Sequence, residues 1–331
     1  MKESIIFHSQ IQTVSSSAHR PLWSVVIPTY NCAEYLAKTL ISVVKQAPDP
    51  EVMQILVVDN CSSDSTEAVV QEIGKGRVEY FRQSENVGSL KNFQTCLNMA
   101  HGKLIHVLHS DDCVCEGFYE KMAHPFLENP ALGAAFCRFF YIDFCGDKKG
   151  LSDLETQVSG ILPENWLERI ATVCAISVPS VAVVRRTVYE NLGGWDSRCG
   201  ICGDWEMWVR IFKHYPVWFE VEPLAMWRRH SNSNNAVSAK NLNFIEDNYQ
   251  TVEIILSHLP RSSRRRVSNM TKRNCSFLAL DSAKFAFRQG EHRKALTLIR
   301  KALAYRLTPL IVLLSSWMIF RQTVLFCNTK L

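Results

Sequence analysis

The chain reads as an α/β protein: a mostly parallel sheet flanked by helices, followed by a smaller helical C-terminal region. Three observations carry this reading. Short β-branched runs alternate with stretches of helical spacing over residues 23–108, the pattern of βαβ units whose crossovers put helices on both faces of a parallel sheet. Polar residues cluster after the first, second and fourth apolar runs, where ligands collect in such sheets. From about residue 240 onward only helical patterns remain.

The elements follow in order. Trp23–Thr29 is a buried parallel strand, and Tyr35–Gln46 a helix with Leu36, Leu40, Val43 and Val44 on one face. Ile55–Val58 is a second strand, ending in the polar turn Asp59–Thr66, and Thr66–Ile73 is helical. Val78–Phe81 is a strand, Leu90–Ala100 a helix, and Leu104–Leu108 a strand that ends in His109-Ser110-Asp111-Asp112. Beyond residue 130 the pattern is mixed. Ala134–Phe144 and Val178–Val184 read as strands, and Glu164–Val173, Arg186–Leu192 and Asp204–His214 as helices. An αα pattern over 275–304 is interrupted at Gln289-Gly290. The expected organisation is a flexible arm over 1–20, a main domain over 21–235 and a basic helical region over 236–331.

Composition narrows the class. In 331 residues, 47% are hydrophobic and 21% charged, as in an ordinary folded protein. No stretch reaches the ~20 apolar residues that span a bilayer. The only consecutive apolar run in the first nineteen residues is Ile5–Phe7, far short of a secretory h-region. The twelve cysteines are scattered, Cys113 and Cys115 are too close for a usual zinc hairpin, and Cys199-Gly-Ile-Cys202 lacks a second pair. Free thiols in a reducing cytoplasm are expected.

Charge is unevenly placed. Residues 255–306 hold thirteen Lys and Arg against Asp281 and Glu291, a local charge of +11 in a chain of +5 overall. Leu307–Phe320 then runs for fourteen residues without a charge. A helix lying on an anionic membrane surface fits this order, at the inner face of the membrane, and a helix docked on the protein is the alternative. No nucleic-acid-binding module accompanies the charge, so nucleic acid is not an expected partner.

Asp111 and Asp112 are adjacent carboxylates at a strand end. Such a pair repels unless a cation lies beside it, so Mg²⁺ or Mn²⁺ is a natural companion, and a solvated turn is the plainer alternative. Asp59, at the end of the neighbouring strand, is suited to hydrogen-bond a nucleoside, or else simply forms an Asx turn. Asp204 opens a helix, where the macrodipole favours its ionised form. Trp205, Trp208 and Trp227 offer stacking faces for a sugar, although helical spacing argues for core packing of Trp208. The absence of a G-x-G-x-x-G turn argues against a nicotinamide enzyme.

Taken in order, Ser24–Asn31 (SVVIPTYN), Val57–Thr66 (VVDNCSSDST), Asn86-Val-Gly88, Asn92, Ser110-Asp-Asp112, Gly193-Gly-Trp-Asp196, Asp204-Trp-Glu206 with Trp208 and Arg210, and Arg228-Arg-His230 resemble the family 2 glycosyltransferases of the GT-A fold. The resemblance covers about 24–232. It implies an inverting transfer of a sugar from a nucleotide-diphosphate sugar, most naturally a UDP-sugar, to an acceptor hydroxyl of a saccharide or glycolipid, in the setting of surface polysaccharide synthesis. Pro28 and Thr29 would line the nucleoside pocket, with Asn86 and Asn92 in the donor site. Asp59 would hold the base, Asp111 would contact the ribose, and Asp112 would ligate the metal. His230 would assist at the metal or diphosphate, and Asp204 would be the catalytic base. Three departures stand out: His109 where the family commonly has an acid, Asn60 after Asp59, and Gly203 before Asp204. They leave a nucleotide-sugar-binding protein without turnover as the alternative.

Overall fold

The computed structural model describes residues 8–15, 20–176, 178–230 and 242–328. The chain forms two compact units. One comprises Met1–Leu167, Ala175–Ser197 and Met207–His230, and the other Glu168–Cys174, Arg198–Glu206 and Ser231–Leu331.

The first unit is built on β1 (Trp23–Thr29), β2 (Met53–Asp59), β3 (Glu79–Arg82), β4 (Leu104–Val107), β5 (Cys113–Val114), β6 (Ala134–Ile142), β7 (Lys148–Leu151), β8 (Gly160–Ile161), β9 (Ala182–Arg185) and β10 (Val217–Arg228). Helices α1 (Ala33–Val44), α2 (Thr66–Gly74), α3 (Ser89–Met99), α4 (Phe118–Glu128) and α6 (Arg186–Leu192) lie between the strands in sequence. Helices α5 (Trp166–Thr172) and α7 (Gly203–His214) contribute residues to both units.

The sheet order is β3-β2-β1-β4-β9-β6-β10-β5, with β7 on β6 and β8 on β10. From β3 to β4 every pairing is parallel, while β9 joins β4 and β6 antiparallel. β1 and β2 are buried at every position, which explains their continuous apolar sequences. β3 is the edge, and its Glu-Tyr-Phe-Arg sequence leaves charged residues toward solvent. Because β1 and β4 are parallel neighbours, the chain segments that leave them, Tyr30–Cys32 and His109–Asp112, emerge at the same side of the sheet.

Several boundaries differ from the sequence reading for local reasons. β9 starts at Ala182 because Pro179–Val181 forms a 3₁₀ turn, with proline at its first position where a missing N–H costs nothing. β10 has no counterpart in the sequence reading. It contains Pro223, and the register slips against β6 on both sides of that residue, so the proline sits at an irregularity instead of in the ladder. Helix α4, with Pro125 in its last turn, was likewise not apparent from spacing.

Residues 8–15, part of the expected flexible arm, are held against the first unit. His8 bridges Asp196, Ser9 C=O accepts from Gly194 N–H (2.8 Å), Ile11 is buried, and Arg186 Nη2 donates to Gln12 C=O (2.9 Å). The rest of that arm, 1–7 and 16–19, lies outside the described residues.

The second unit contains α8 (Leu242–His258), α9 (Arg261–Arg288), α10 (His292–Tyr305) and α11 (Pro309–Asn328). Its core gathers Ala279, Leu280, Ala283 and Phe287 of α9 with Ala295, Leu298, Ile299 and Ala302 of α10 and Ile311 and Met318 of α11. Alanines at three- and four-residue spacing let the helices of the α9–α10 hairpin approach closely. Gly290, at φ +77°, makes the turn between them. No helix among the described residues is long and apolar enough to cross a membrane.

Candidate donor and cation site

At the end of β1, the Pro28-Thr29 backbone is buried and leads to Asn31 in the left-handed region (φ 47°). Cys61, after β2, is also left-handed (φ 64°), a conformation that a cysteine side chain adopts only when its surroundings impose it. The two turns are laced together. Ser62 Oγ accepts from Asn31 N–H (2.8 Å), Asn31 Oδ1 accepts from Ser63 N–H (2.8 Å), and Asp64 Oδ2 accepts from Ala33 N–H (2.9 Å). Thr29 Oγ1 is buried without a hydrogen-bond partner among the described residues. Such a group is rare in a native protein and marks a place where a ligand or water is expected to bond.

Asp59 is fully buried, and both carboxylate oxygens are engaged. The Tyr80 hydroxyl (2.7 Å) and Arg82 Nη1 (2.8 Å) donate to Oδ2, and the Ser62 N–H (3.0 Å) and hydroxyl donate to Oδ1. Burial, with Asp59 beside it, pushes the Tyr80 hydroxyl up to about 12. Asn60 Nδ2 donates to Asn86 Oδ1 (2.9 Å), and Val87 N–H donates to Asn60 Oδ1 (2.9 Å). Asn92 is buried and spends its amide inside the fold, donating to Val58 C=O (2.9 Å) and accepting from Gln83 (3.3 Å). Asn92 therefore ties α3 to β2, whereas Asn86 remains exposed at the rim.

The loop after β4 brings His109, Asp111 and Asp112 together, with one ligand atom from each lying within 4.8 Å of the others. The two acids differ sharply. Asp112 is fully buried; Arg228 N–H donates to its Oδ1 (2.9 Å) and Ser180 Oγ–H to its Oδ2 (2.6 Å). Burial and then the Asp111 charge push the Asp112 carboxyl well above the ordinary carboxylate range. Asp111 keeps accessible surface and accepts from His230 Nε2 (2.9 Å). Burial works to raise it, but the His230 hydrogen bond and the nearby His109 hold it below the ordinary value. Neighbouring carboxylates pushed in opposite directions are the signature of a pair that shares one proton or a cation.

Residues beneath the loop were less legible in the sequence. Thr39 Oγ1 lies 2.7 Å from Asp112 C=O and 2.9 Å from Ser110 C=O, within reach to donate to either. Ser180 accepts from His109 N–H through its hydroxyl (3.0 Å) and from His106 Nε2–H through its carbonyl (2.9 Å). Burial lowers His106 to about 4, so it is neutral in the folded protein. Arg228 is buried and donates to Asp111 C=O (2.8 Å) and Asp143 C=O (2.8 Å), with its guanidinium 5.0 Å from the Tyr35 ring centre. The Tyr35 ring in turn lies 4.8 Å from that of His230. Ser180 follows a proline turn and carries no periodic signal, so only the fold reveals it.

The second unit holds Asp204, in the first turn of α7. Burial raises its carboxyl to about 6, against the hydrogen bond that Trp205 N–H donates to Oδ1 (2.7 Å). In the same turn Glu206 is fully buried and accepts from His258 Nε2 (2.8 Å), and Trp205 Nε1 donates to Ile170 C=O (2.6 Å). Trp205 and Trp208 are both buried, as core packing requires. Trp227 is half-buried beside Tyr141 (ring centres 5.5 Å apart).

The donor set of one imidazole and two carboxylates after β4 suits a divalent cation, and the Thr29 hydroxyl and His109 Nε2, without hydrogen-bond partners among the described residues, fit a bound polar ligand. Comparison with known proteins bears on the fold and the family. An uncharacterized glycosyltransferase of Mycoplasma genitalium, MG025, is 35% identical over 119 residues, 35% of this chain and 40% of that protein, so the match spans about two-fifths of that relative's length. The putative teichuronic acid biosynthesis glycosyltransferase TuaG of Bacillus subtilis is 34% identical over 95 residues, 28% of this chain and 37% of the relative. Among solved structures, S. aureus TarS residues 1–349 in complex with UDP-GlcNAc superimposes with a TM-score of 0.64 at 14% identity, covering 86% of this chain and 81% of that one. The mannosyltransferase PcManGT from Pyrobaculum calidifontis, in complex with GDP-Man and Mn²⁺, gives 0.52 at 17% identity over 92% and 81% of the two chains. These likenesses establish the GT-A fold. The sequence pattern of glycosyl transferase family 2 matches residues 24–193, and the chain belongs to that family.

Proposed function

We propose that this protein is an inverting glycosyltransferase that moves a sugar from a nucleotide-diphosphate sugar to an acceptor hydroxyl with the help of a divalent cation. The observation that carries the reading is the pair of buried polar atoms, Thr29 Oγ1 and His109 Nε2, that have no hydrogen-bond partner among the described residues and lie after the ends of adjacent parallel strands beside the Asp111–Asp112 carboxylate pair. A UDP-sugar donor is supported by the likeness to TarS with UDP-GlcNAc, and a saccharide or glycolipid acceptor by the teichuronic acid relative.

The roles refine the expectations drawn from the sequence. Asp111, partly accessible and held ionised by His230, would hold the cation together with His109 and His230. Asp112, whose two oxygens are occupied by Arg228 and Ser180, would shape the loop from beneath. Bound there, a divalent cation would supply positive charge against the charge that develops on the leaving diphosphate. Thr29, Pro28 and Asn86 would line the nucleoside side, and Asp59 would set that wall by orienting Arg82 and Tyr80. Asp204 would accept the acceptor hydroxyl's proton as its oxygen attacks the anomeric carbon opposite the departing diphosphate. A carboxyl raised to about 6 suits this task, because it is a stronger base than a free carboxylate and is still ionised near neutral pH.

We further propose that α11 lies on an anionic lipid surface. Its inward residues Ile311, Leu314 and Met318 pack on the second unit's core, while Leu310, Val312, Leu313, Trp317 and Phe320 are exposed. Leu307, just before it, is 73% exposed, and Leu313 and Phe320 are 65% and 68% exposed, far more than apolar side chains need concede to water. Lys284, Arg288, Arg293 and Arg300, exposed on the two helices that α11 packs against, supply the complementary charge. Such placement suits an acceptor carried on a lipid.

The catalytic reading is tested by Asp204→Asn with a UDP-sugar, Mn²⁺ and a saccharide acceptor. Turnover should fall by about 10²–10⁴-fold with the thermal unfolding temperature retained. Full turnover in the variant contradicts the assignment.

A further inference from the structure

We propose that Tyr141, Trp227 and Arg229 form a subsite for an acidic saccharide acceptor, with Arg229 as the residue that recognises its negative charge; this deepens the glycosyl-transfer reading above and rests on it. Of the three tryptophans whose faces could stack on a sugar, Trp205 and Trp208 are buried in packing, and Trp227 keeps part of its surface open. Trp227 stands opposite Tyr141 in the parallel β10–β6 ladder, so the two side chains share one face of the sheet. Their rings lie 5.5 Å apart, and both contact the buried Phe139 ring, at 5.1 Å for Tyr141 and 5.8 Å for Trp227. The pair is therefore fixed from beneath. An aromatic surface of this kind packs on the C–H face of a sugar ring and leaves the hydroxyls in water.

Arg229 is exposed, yet it is held. Its backbone N–H donates to Ile142 C=O at the end of β6 (2.8 Å), and its guanidinium carbon lies 4.2 Å from the Tyr141 ring centre and 5.0 Å from that of Trp227. Packing on two rings fixes the plane of the guanidinium. Its charge is not spent within the fold: Arg229 makes no ion pair among the described residues, and the acids of the turn after β6, Asp143 and Asp147, lie 2.9 and 3.7 Å from Lys149 instead. A pre-oriented guanidinium with free donors suits two-pronged bonding to a carboxylate or phosphate. The flanking residues face the other way. Arg228 Nε donates to Asp111 C=O (2.8 Å), with its guanidinium over the Tyr35 ring, and His230 Nε2 lies 2.9 Å from Asp111 Oδ2. Arg229 thus borders the donor centre but turns away from it, which assigns its charge to the acceptor and not to the donor's diphosphate.

The test titrates the full-length protein, with UDP and Mn²⁺ present, by calorimetry with three probes: a neutral trisaccharide, the same trisaccharide carrying a uronate, and the same trisaccharide carrying a phosphate monoester. At least one acidic probe should bind about tenfold or more tightly than the neutral one, and which of the two does so separates carboxylate from phosphate recognition. Arg229→Gln should erase that preference, and Arg229→Lys, which keeps the charge but not the planar fork, should restore only part of it. Both variants alter an exposed side chain, and both should bind UDP within about twofold of the unmodified protein. Equal affinity for charged and neutral probes, no binding by any of the three, or a preference that survives Arg229→Gln overturns the inference while UDP binding leaves the donor reading standing. A loss of UDP affinity in Arg229→Gln as large as the loss for the acidic probe also overturns it, because the guanidinium then serves the donor. Failure of the unmodified protein to bind UDP removes the donor reading and this inference with it.

Discussion

At the scale of single residues, the protein separates carboxylates by environment. Asp59, Asp111, Asp112 and Asp204 are chemically identical side chains, yet one is locked among four donors, one is held ionised by a histidine, and two are raised by burial. The sign of the Asp204 shift gives a pH dependence. Only the ionised form can take a proton, and the group is half-ionised near pH 6, so kcat/KM should climb about tenfold per pH unit below about 6 and level off above it. A rate profile across that range, repeated with Asp204→Glu, checks this; a profile flat from roughly pH 5 to 7 contradicts it. The sequence placed the acids at strand and helix ends, because strand length and turn composition are local properties. The resemblance gave the metal to Asp112 and the ribose to Asp111; the proposed exchange of roles rests on Ser180, Arg228 and His230, which lie 68 to 119 residues away.

At the scale of elements, the alternation of buried runs and amphipathic stretches made the first four strands of the sheet readable, while the place of β3 at its edge came only from the strand order. The second half resisted the same reading. There β9 is antiparallel, β10 carries a proline at a register slip, and α4 contains Pro125, each contradicting the local signal that would have announced it. Close approach between elements is also invisible to periodicity. Gly102 stands where an added Cβ would come within 2.5 Å of Ser24 N and of the Trp23 carbonyl carbon, and its N–H donates to Ser24 Oγ (2.8 Å). Neither neighbour is a flexible side chain that can move aside. Gly102→Ala should therefore cost about 1–3 kcal/mol and lower the thermal midpoint by several degrees. An unchanged denaturation curve contradicts the packing described for β1 and the turn before β4.

At the scale of the whole molecule, charge and hydropathy divide the chain as the sequence suggested, with basic helices followed by an uncharged segment. What spacing alone could not say is which face of that segment stays open. The fold buries Ile311, Ser315 and Met318 in the second unit and half-buries Leu314 against its core, leaving Leu310, Leu313 and Phe320 outward. The full-length protein should sediment with vesicles rich in anionic lipid and much less with neutral ones, and Leu310→Glu/Leu313→Glu, which alters only exposed positions, should abolish sedimentation. Vesicle binding that survives the double change, or no binding by the unmodified protein, contradicts the membrane reading.

The most direct test of the central claim, that the ends of β1 and β4 form one cation-dependent nucleotide-sugar site, is calorimetric titration of the protein with UDP, with and without Mn²⁺. The account expects Mn²⁺ to tighten UDP binding by at least about tenfold, and Asp111→Asn to erase that gain while the fold persists. Equal UDP affinity with and without Mn²⁺, or a Mn²⁺ effect that survives Asp111→Asn, would contradict it.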